Sequence, residues 1–282
     1  MKSPWPHRCA LLLAAIAFFP VLTGTAVTAN EERPFYSLGQ THIWLGGATA
    51  ILTIGLVIAI RAHEQRIWVR RMTWIALAAL GVQAIIGLQP LPQPPALRIV
   101  HAIVAQLFFP MACVLAVCTS AGWGTPPKPV ESGAFLTVLT GCTPAVVLAQ
   151  VALGTLFRHG ALGVGPHLIG AFLVAFFILG LALPVIYRAE HSSLHLAARC
   201  FLTIASVQVF LGLALFSMQS MNVDPSAVIL MTIIHATTGA LTLAATVVMA
   251  VLIRRSIRLA TKSATVKVAI LGGDPRQKDK TP

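Results

Sequence analysis

Apolar runs long enough to cross a membrane recur along this whole chain, and that leaves it few ways to fold. The hydrocarbon core of a bilayer offers no water to bare N–H and C=O groups, so only helices and closed barrels span it. A spanning helix needs about 20 apolar residues. The runs predict helices near 9–29, 40–60, 72–89, 99–121, 133–155, 167–187, 200–218 and 228–253. Turn-forming segments separate them, such as Gln89-Pro90-Leu91-Pro92-Gln93-Pro94-Pro95 and Gly124-Thr125-Pro126-Pro127-Lys128-Pro129. Hydrophobic residues make up 57% of the 282 and charged ones 10%, where a soluble domain carries roughly 25% charge. This balance excludes a soluble globule, a disordered chain and a collagen-like repeat. Five scattered Cys do not make a secreted disulfide scaffold.

The net charge of +12 would suggest nucleic acid in a soluble protein. Here it has another source, because membrane proteins gather Lys and Arg on the cytoplasmic side. One set of segments holds Lys2, Arg8, Arg61, Arg66, Arg70, Arg71, Lys128, Arg188 and Arg199, with eight more basic residues after residue 253. The opposite set holds only Arg33, Arg98 and Arg158. The alternation predicts a multi-pass protein of the cell membrane with both termini cytoplasmic, in contact with lipid and not with nucleic acid. A rival reading touches the first span. Lys2 and Arg8 precede its apolar run, and Ala26-Val27-Thr28-Ala29 has the grammar of a signal-peptide cleavage site.

The two halves repeat each other. Val82-Gln83-Ala84-Ile85-Ile86-Gly87-Leu88 on helix three and Val207-Gln208-Val209-Phe210-Leu211-Gly212-Leu213 on helix seven share V-Q-x-x-x-G-L. Helix four opens with Ile99-Val100-His101-Ala102 and helix eight with Ile233-Ile234-His235-Ala236. Thr41-His42-Ile43-Trp44-Leu45-Gly46 on helix two answers Pro166-His167-Leu168-Ile169-Gly170 on helix six. Leu22-Thr23-Gly24-Thr25 answers Leu153-Gly154-Thr155. Four matches in one order predict a duplicated four-helix unit. Each unit has an even number of spans, so the copies run parallel about an axis along the membrane normal. The expected fold is therefore all-α: two repeated four-helix bundles, residues 1–125 and 126–262, followed by a basic cytoplasmic tail, 263–282. The pairing of helix one with helix five argues that helix one is retained.

Nine His are present. His7, His63, His191 and His195 lie in cytoplasmic segments and read as solvated, and His159 lies in a short outer loop. His42, His101, His167 and His235 differ, because all four sit on even-numbered helices in the outer half of the membrane. Polar side chains are costly there and mark functional sites. A single such His reads equally well as an interhelical hydrogen bond. Four at matching repeat positions suit axial ligation of iron in two haem pockets within bundle cores. Zinc is the competing metal, but it takes three or four ligands in one site. Cys9, Cys113, Cys118, Cys142 and Cys200 do not accompany these His and read as small core residues. Gly46, Gly47, Gly170 and Gly239 lie within about a turn after three of the His. Both close helix packing and room for a flat macrocycle account for them.

The four His on even helices, the duplicated units and the stretch Gln150-Val151-Ala152-Leu153-Gly154-Thr155-Leu156-Phe157-Arg158-His159-Gly160 together resemble the haem A synthase family of cytochrome oxidase assembly proteins. The resemblance covers about residues 9–255. It implies oxidation of the C8 methyl of haem O to the formyl group of haem A. It implies haem b between His167 and His235 in the C-terminal repeat, and the substrate haem O between His42 and His101 in the N-terminal repeat. It also implies haem O synthase and cytochrome oxidase as partners. The chain departs from the family in three respects. Family members carry a Glu three residues before the first-repeat His, where this chain has Gly39, with Glu31 and Glu32 further upstream. Ile43 and Leu168 replace the Arg that usually follows the His. The first outer loop, about 30–39, lacks the Cys pair of many bacterial members. A non-catalytic membrane cytochrome or haem carrier is the alternative. A transporter built on the parallel repeat is a third reading, and no acidic residue lies within a predicted span to relay protons for it.

Overall fold

A computed structural model describes residues 3–29, 36–89, 93–125, 134–188, 192–221 and 223–271. It contains eight long helices: α1 (Trp5–Ala29), α2 (Tyr36–His63), α3 (Ile67–Gly87), α4 (Pro95–Thr119), α5 (Ala134–Arg158), α6 (Val164–Arg188), α7 (Ser192–Gln219) and α8 (Pro225–Leu271). A short 3-10 turn, Ala121–Gly124, follows α4, and no strand occurs among the described residues. All eight helices are long and apolar enough to cross a membrane, so the chain is a multi-pass membrane protein. Pro20, Pro110, Pro144 and Pro184 lie inside α1, α4, α5 and α6, as membrane helices tolerate when neighbours re-satisfy the freed carbonyls.

Seven predicted helices match these within a few residues at most ends, though α7 begins eight residues before the expected 200. α8 is the larger departure: it runs to Leu271, well past the expected end at 253 and through the expected start of the tail at 263. Hydropathy falls where Arg254 and Arg255 begin, but Arg, Lys, Leu and Ala continue a helix well. No breaker appears until Gly272-Gly273-Asp274-Pro275. Residues 272–282 of the tail lie outside the described residues.

Helix ends follow local chemistry. Pro95 and Pro225 open α4 and α8 at the position where a missing N–H costs nothing. The Asp224 carboxylate accepts the Ser226 N–H at 2.8 Å, capping α8. α5 ends in a Schellman turn. The Ala161 N–H donates to the Leu156 carbonyl at 2.9 Å and the Gly160 N–H to the Phe157 carbonyl at 3.0 Å. Gly160, at φ +68°, supplies the left-handed residue that this turn requires. The tight turn starts α6 at Val164 and so brings His167 into its first helical turn.

Within each half the four helices close into a ring. α1 packs on α2 and α4, and α3 packs on the same two; α5 and α7 each pack on α6 and α8. The C-terminal core includes Leu139, Leu181, Phe201, Met249 and Ile253. The N-terminal core includes Leu13, Leu56, Ile60, Val69 and Leu115, and it also takes in Ala240 and Ala244 of α8. Small side chains one turn apart let α8 approach the neighbouring half closely. Buried hydroxyls are satisfied within their own helices, as where Thr53, Thr143 and Thr246 donate to carbonyls four residues back at 2.7 Å.

Two arginines tie the halves together at opposite faces. At one end of the bundle, Arg255 of α8 donates to the carbonyls of Trp123 at 2.6 Å and Thr125 at 2.7 Å. Its guanidinium lies 4.3 Å from the Trp123 ring centroid. At the other end, Arg158 donates to the Thr25 carbonyl at 2.5 Å and to the Thr28 hydroxyl, at the C-terminal end of α1. The Arg255 end also carries an ion pair, Arg66 with Glu64 at 2.5 Å. The hydrogen bond to the Glu64 carboxylate holds the Arg66 pKa above its usual value.

The bundle's exterior is apolar. Trp44, Ile51, Ile169, Phe172 and Phe210 are each more than 70% exposed, which suits hydrocarbon and not water. Two phenylalanines on α7 separate packing from lipid exposure: Phe201 is 1% exposed and Phe210 72%. Phe201→Ala is expected to lower stability by about 3–5 kcal/mol and Phe210→Ala by less than about 0.5 kcal/mol. Denaturant unfolding in mixed micelles measures both, and equal losses would contradict this assignment of core and lipid face.

Candidate functional site

Each of the four singled-out histidines sits near the start of its helix. His42 lies in the second turn of α2, His101 in the second turn of α4, His167 in the first turn of α6 and His235 in the third turn of α8. The structure brings them together two by two. The ring centroids of His42 and His101 are 6.2 Å apart with an interplanar angle of 68°. Those of His167 and His235 are 6.3 Å apart at 89°. The two pairs thus belong to different bundles but share nearly one geometry.

The same seat holds all four rings. Each lies against a glycine on the preceding helix: His42 on Gly24, His101 on Gly87, His167 on Gly154 and His235 on Gly212. A Cβ at these glycines would stand 2.8 Å from Cε1 of His101 and 2.9 Å from Cε1 of the other three. Real Cβ atoms essentially never come so close, so any side chain there must push the ring aside. The backbone carbonyl one turn before each glycine, that of Pro20, Gln83, Gln150 or Gln208, lies near the ring. A carbonyl facing Nδ1 is the usual partner that orients a ligating imidazole and leaves Nε2 for a metal. At His101 the buried Nδ1 has no hydrogen-bond partner.

Side chains add a second layer. The Thr23 hydroxyl lies 3.1 Å from His42 Nδ1. Gln150 Nε2 donates to the His167 carbonyl at 2.8 Å and lies 3.1 Å from its Nδ1. Gln208 Nε2 lies 3.3 Å from Nδ1 and 3.4 Å from Nε2 of His235. The V-Q-x-x-x-G-L repeats and the Gly-Thr pairs near the ends of α1 and α5 are therefore the floors on which the histidines rest. The sequence displays the pattern, but only the packing shows that these glycines and glutamines face the His. Thr23, Gln150 and Gln208 are the residues that sequence reasoning missed.

The glycines on the histidine helices divide into two kinds. Gly170 and Gly239 receive the side chains of Gln150 and Gln208, which is close packing. A Cβ on Gly46 or Gly47 would meet nothing within 4 Å, and the same holds for Gly39, one turn before His42. Glu31 and Glu32 lie outside the described residues. His7 is not simply solvated, because its Nδ1 lies 3.0 Å from the Ala116 carbonyl. His191 is also outside the described residues.

The ring separation fits a metal held between two imidazoles. With each metal–nitrogen bond about 2.0 Å long and each ring nitrogen about 1.1 Å from its centroid, trans ligands stand about 6.2–6.3 Å apart. A porphyrin supplies the other four donors of such an iron, so two histidines per site suffice. A structural zinc needs three or four protein donors. Among the described residues no group of three or more His, Cys, Asp or Glu is assembled. The donor set therefore fits haem iron better than zinc.

No protein-family model matches the chain, and no curated protein matches it in sequence.

The seat predicts a specific sensitivity. Gly154→Ala or Gly212→Ala is expected to weaken uptake of ferric haem b by about tenfold, as outer-shell disruption does at metal sites. Gly55→Ala, on α2 where a Cβ meets nothing within 4 Å, serves as control. Haem titration followed by absorbance measures this, and equal affinities for all three variants would remove the seat's role.

Proposed function

We propose that the protein is a haem A synthase-like membrane oxidoreductase that oxidises the C8 methyl of haem O to a formyl group for cytochrome oxidase assembly. The observation that carries this reading is the doubled geometry: two histidine pairs, 6.2 and 6.3 Å between centroids, each ring seated on a glycine. The family resemblance supplies the reaction, and the paired seats supply its two haem positions. In this reading His167 and His235 hold haem b, and His42 and His101 hold the substrate haem O. Bound haem supplies the redox chemistry itself. The chain's own task is to bind and orient: its glycine seats fix the imidazoles, Thr23, Gln150 and Gln208 face three of the rings, and its apolar walls exclude water.

The protein works in the cell membrane with both termini cytoplasmic, supported by the crowding of basic residues on one set of segments. Its histidine pairs then lie toward the outer side. Haem O synthase and cytochrome oxidase are the partners that this chemistry calls for upstream and downstream.

One observation favours a second reading, a membrane cytochrome or haem carrier that performs no oxidation. Among the described residues the acidic side chains are Glu64 and Asp224. Glu64 pairs with Arg66 on the inner face and Asp224 caps α8. Gly39 leaves the position of the family's carboxylate without a side chain.

Co-expression with a haem O source, followed by extraction and chromatography with mass detection, separates the two. Haem A beside haem B supports the enzyme, whereas haem B with unconverted haem O supports the cytochrome. His167→Ala and His235→Ala are expected to abolish the low-spin b-haem spectrum, and its persistence in both would overturn the ligand assignment. Gly39→Glu is expected to raise the oxidation rate several-fold, since a Cβ at this site meets nothing within 4 Å. An unchanged rate would show that the missing carboxylate does not limit turnover.

A further inference from the structure

The two histidine pairs share one plan but are braced differently. On α6, Gly170 admits the Gln150 side chain, and a Cβ there would run into Gln150 Oε1. On α8, Gly239 admits Gln208, and a Cβ there would stand 3.3 Å from Gln208 Nε2. So seated, Gln150 holds the His167 carbonyl at 2.8 Å. The Gln208 amide spans both ring nitrogens of His235, at 3.3 and 3.4 Å.

The N-terminal half lacks this arrangement, position by position. Pro20 stands four residues before Gly24, where Gln150 stands four before Gly154. Gln83 does stand at the place of Gln208, but Ala105, four residues after His101, replaces Gly239, four after His235. Gln83 is buried and its Oε1 has no partner, but Oε1 of Gln150 and of Gln208 has none either. The difference lies at the ring, where His101 Nδ1 has no partner while Nδ1 of His167 and of His235 each face a glutamine amide. Thr23 alone braces His42 through a side chain. The glutamine is present on α3, but the glycine that would seat it on α4 is not.

We infer that Gln150 and Gln208, seated on Gly170 and Gly239, are positioning residues that lock the C-terminal histidine pair, and that Ala105 leaves His101 unlocked so that the N-terminal pair exchanges its haem. The inference rests on the haem reading above and assigns its residues. An imidazole already fixed in its ligating orientation loses little freedom when it takes up iron. Contacts that hold a ligand in its orientation also matter to affinity, and losing one typically costs 10–100-fold. His101 enjoys neither advantage and must be ordered at each binding event. A resident cofactor and a passing substrate need these opposite properties, and a single methyl group at residue 105 or 239 separates them.

The test uses full-length protein in lipid nanodiscs, loaded with haem b and mixed with a large excess of a haem-scavenging apoglobin. Haem loss is expected in two phases. His42→Ala should remove the fast phase and His167→Ala the slow one. Gly239→Ala and Gln208→Leu are expected to speed the slow phase by about tenfold or more while keeping a low-spin spectrum. Both should shift that haem's midpoint potential, leave the fast phase alone and leave the apoprotein's melting temperature unchanged. Ala105→Gly, which only removes a methyl group, is expected to slow the fast phase as Gln83 gains its seat. A slow phase unaltered in both Gly239→Ala and Gln208→Leu, or a fast phase unaltered in Ala105→Gly, overturns the bracing while the haem reading stands. Wild-type protein that takes up no haem overturns both.

Discussion

The contact between a histidine ring and a bare glycine backbone is the interaction on which this architecture turns. It occurs four times, always between an odd helix and the even helix that follows it. At 2.8–2.9 Å from Cε1 to a would-be Cβ, the contact requires helices to approach more closely than any side chain permits. Small residues at helix crossings are the usual means of association in a bilayer, where lipid tails compete on equal terms with apolar side chains. Here the space gained is filled by an imidazole. The packing of each hairpin and the placing of its polar group are therefore one event, and a change in either disturbs the other.

The polar inventory of the interior follows the same economy. Most threonine hydroxyls bond to their own helices and add little specificity between helices, Thr23 at His42 and Thr28 at Arg158 excepted. Specificity comes mainly from a few longer side chains that cross between elements: Gln150 and Gln208 at the histidines, Arg158 at one end of the bundle and Arg255 at the other. Each reaches a backbone carbonyl or a ring nitrogen, groups whose positions the helices already determine. This keeps the two halves in register without placing an unpaired charge in the hydrocarbon.

How much of this was legible in the chain depended on the range of the physics involved. The eight spans were, because a run of about 20 apolar residues has few other meanings. The histidine helices were singled out because a polar side chain in an apolar run is costly. The length of α8 was not, since hydropathy reports where lipid ends and not where a helix ends. The glycine floors were visible only as an unexplained repeat, because facing is a property of packing. Gln150 left still less trace: Pro20 occupies the matching place, so the repeat itself concealed it. Arg158 and Arg255 bind carbonyls about 130 residues away, and no local pattern announces such a partner.

The last helix belongs to both halves. Ala240 and Ala244 complete the N-terminal core, while Leu243, Met249 and Ile253 serve the C-terminal one. Synthesis and insertion proceed from the N-terminus, so the first bundle waits, with a groove open on one side, until the eighth span arrives. The protein's completion is thus reported in its earliest-made part. A ribosome that stops before α8 leaves a first half that still lacks part of its core.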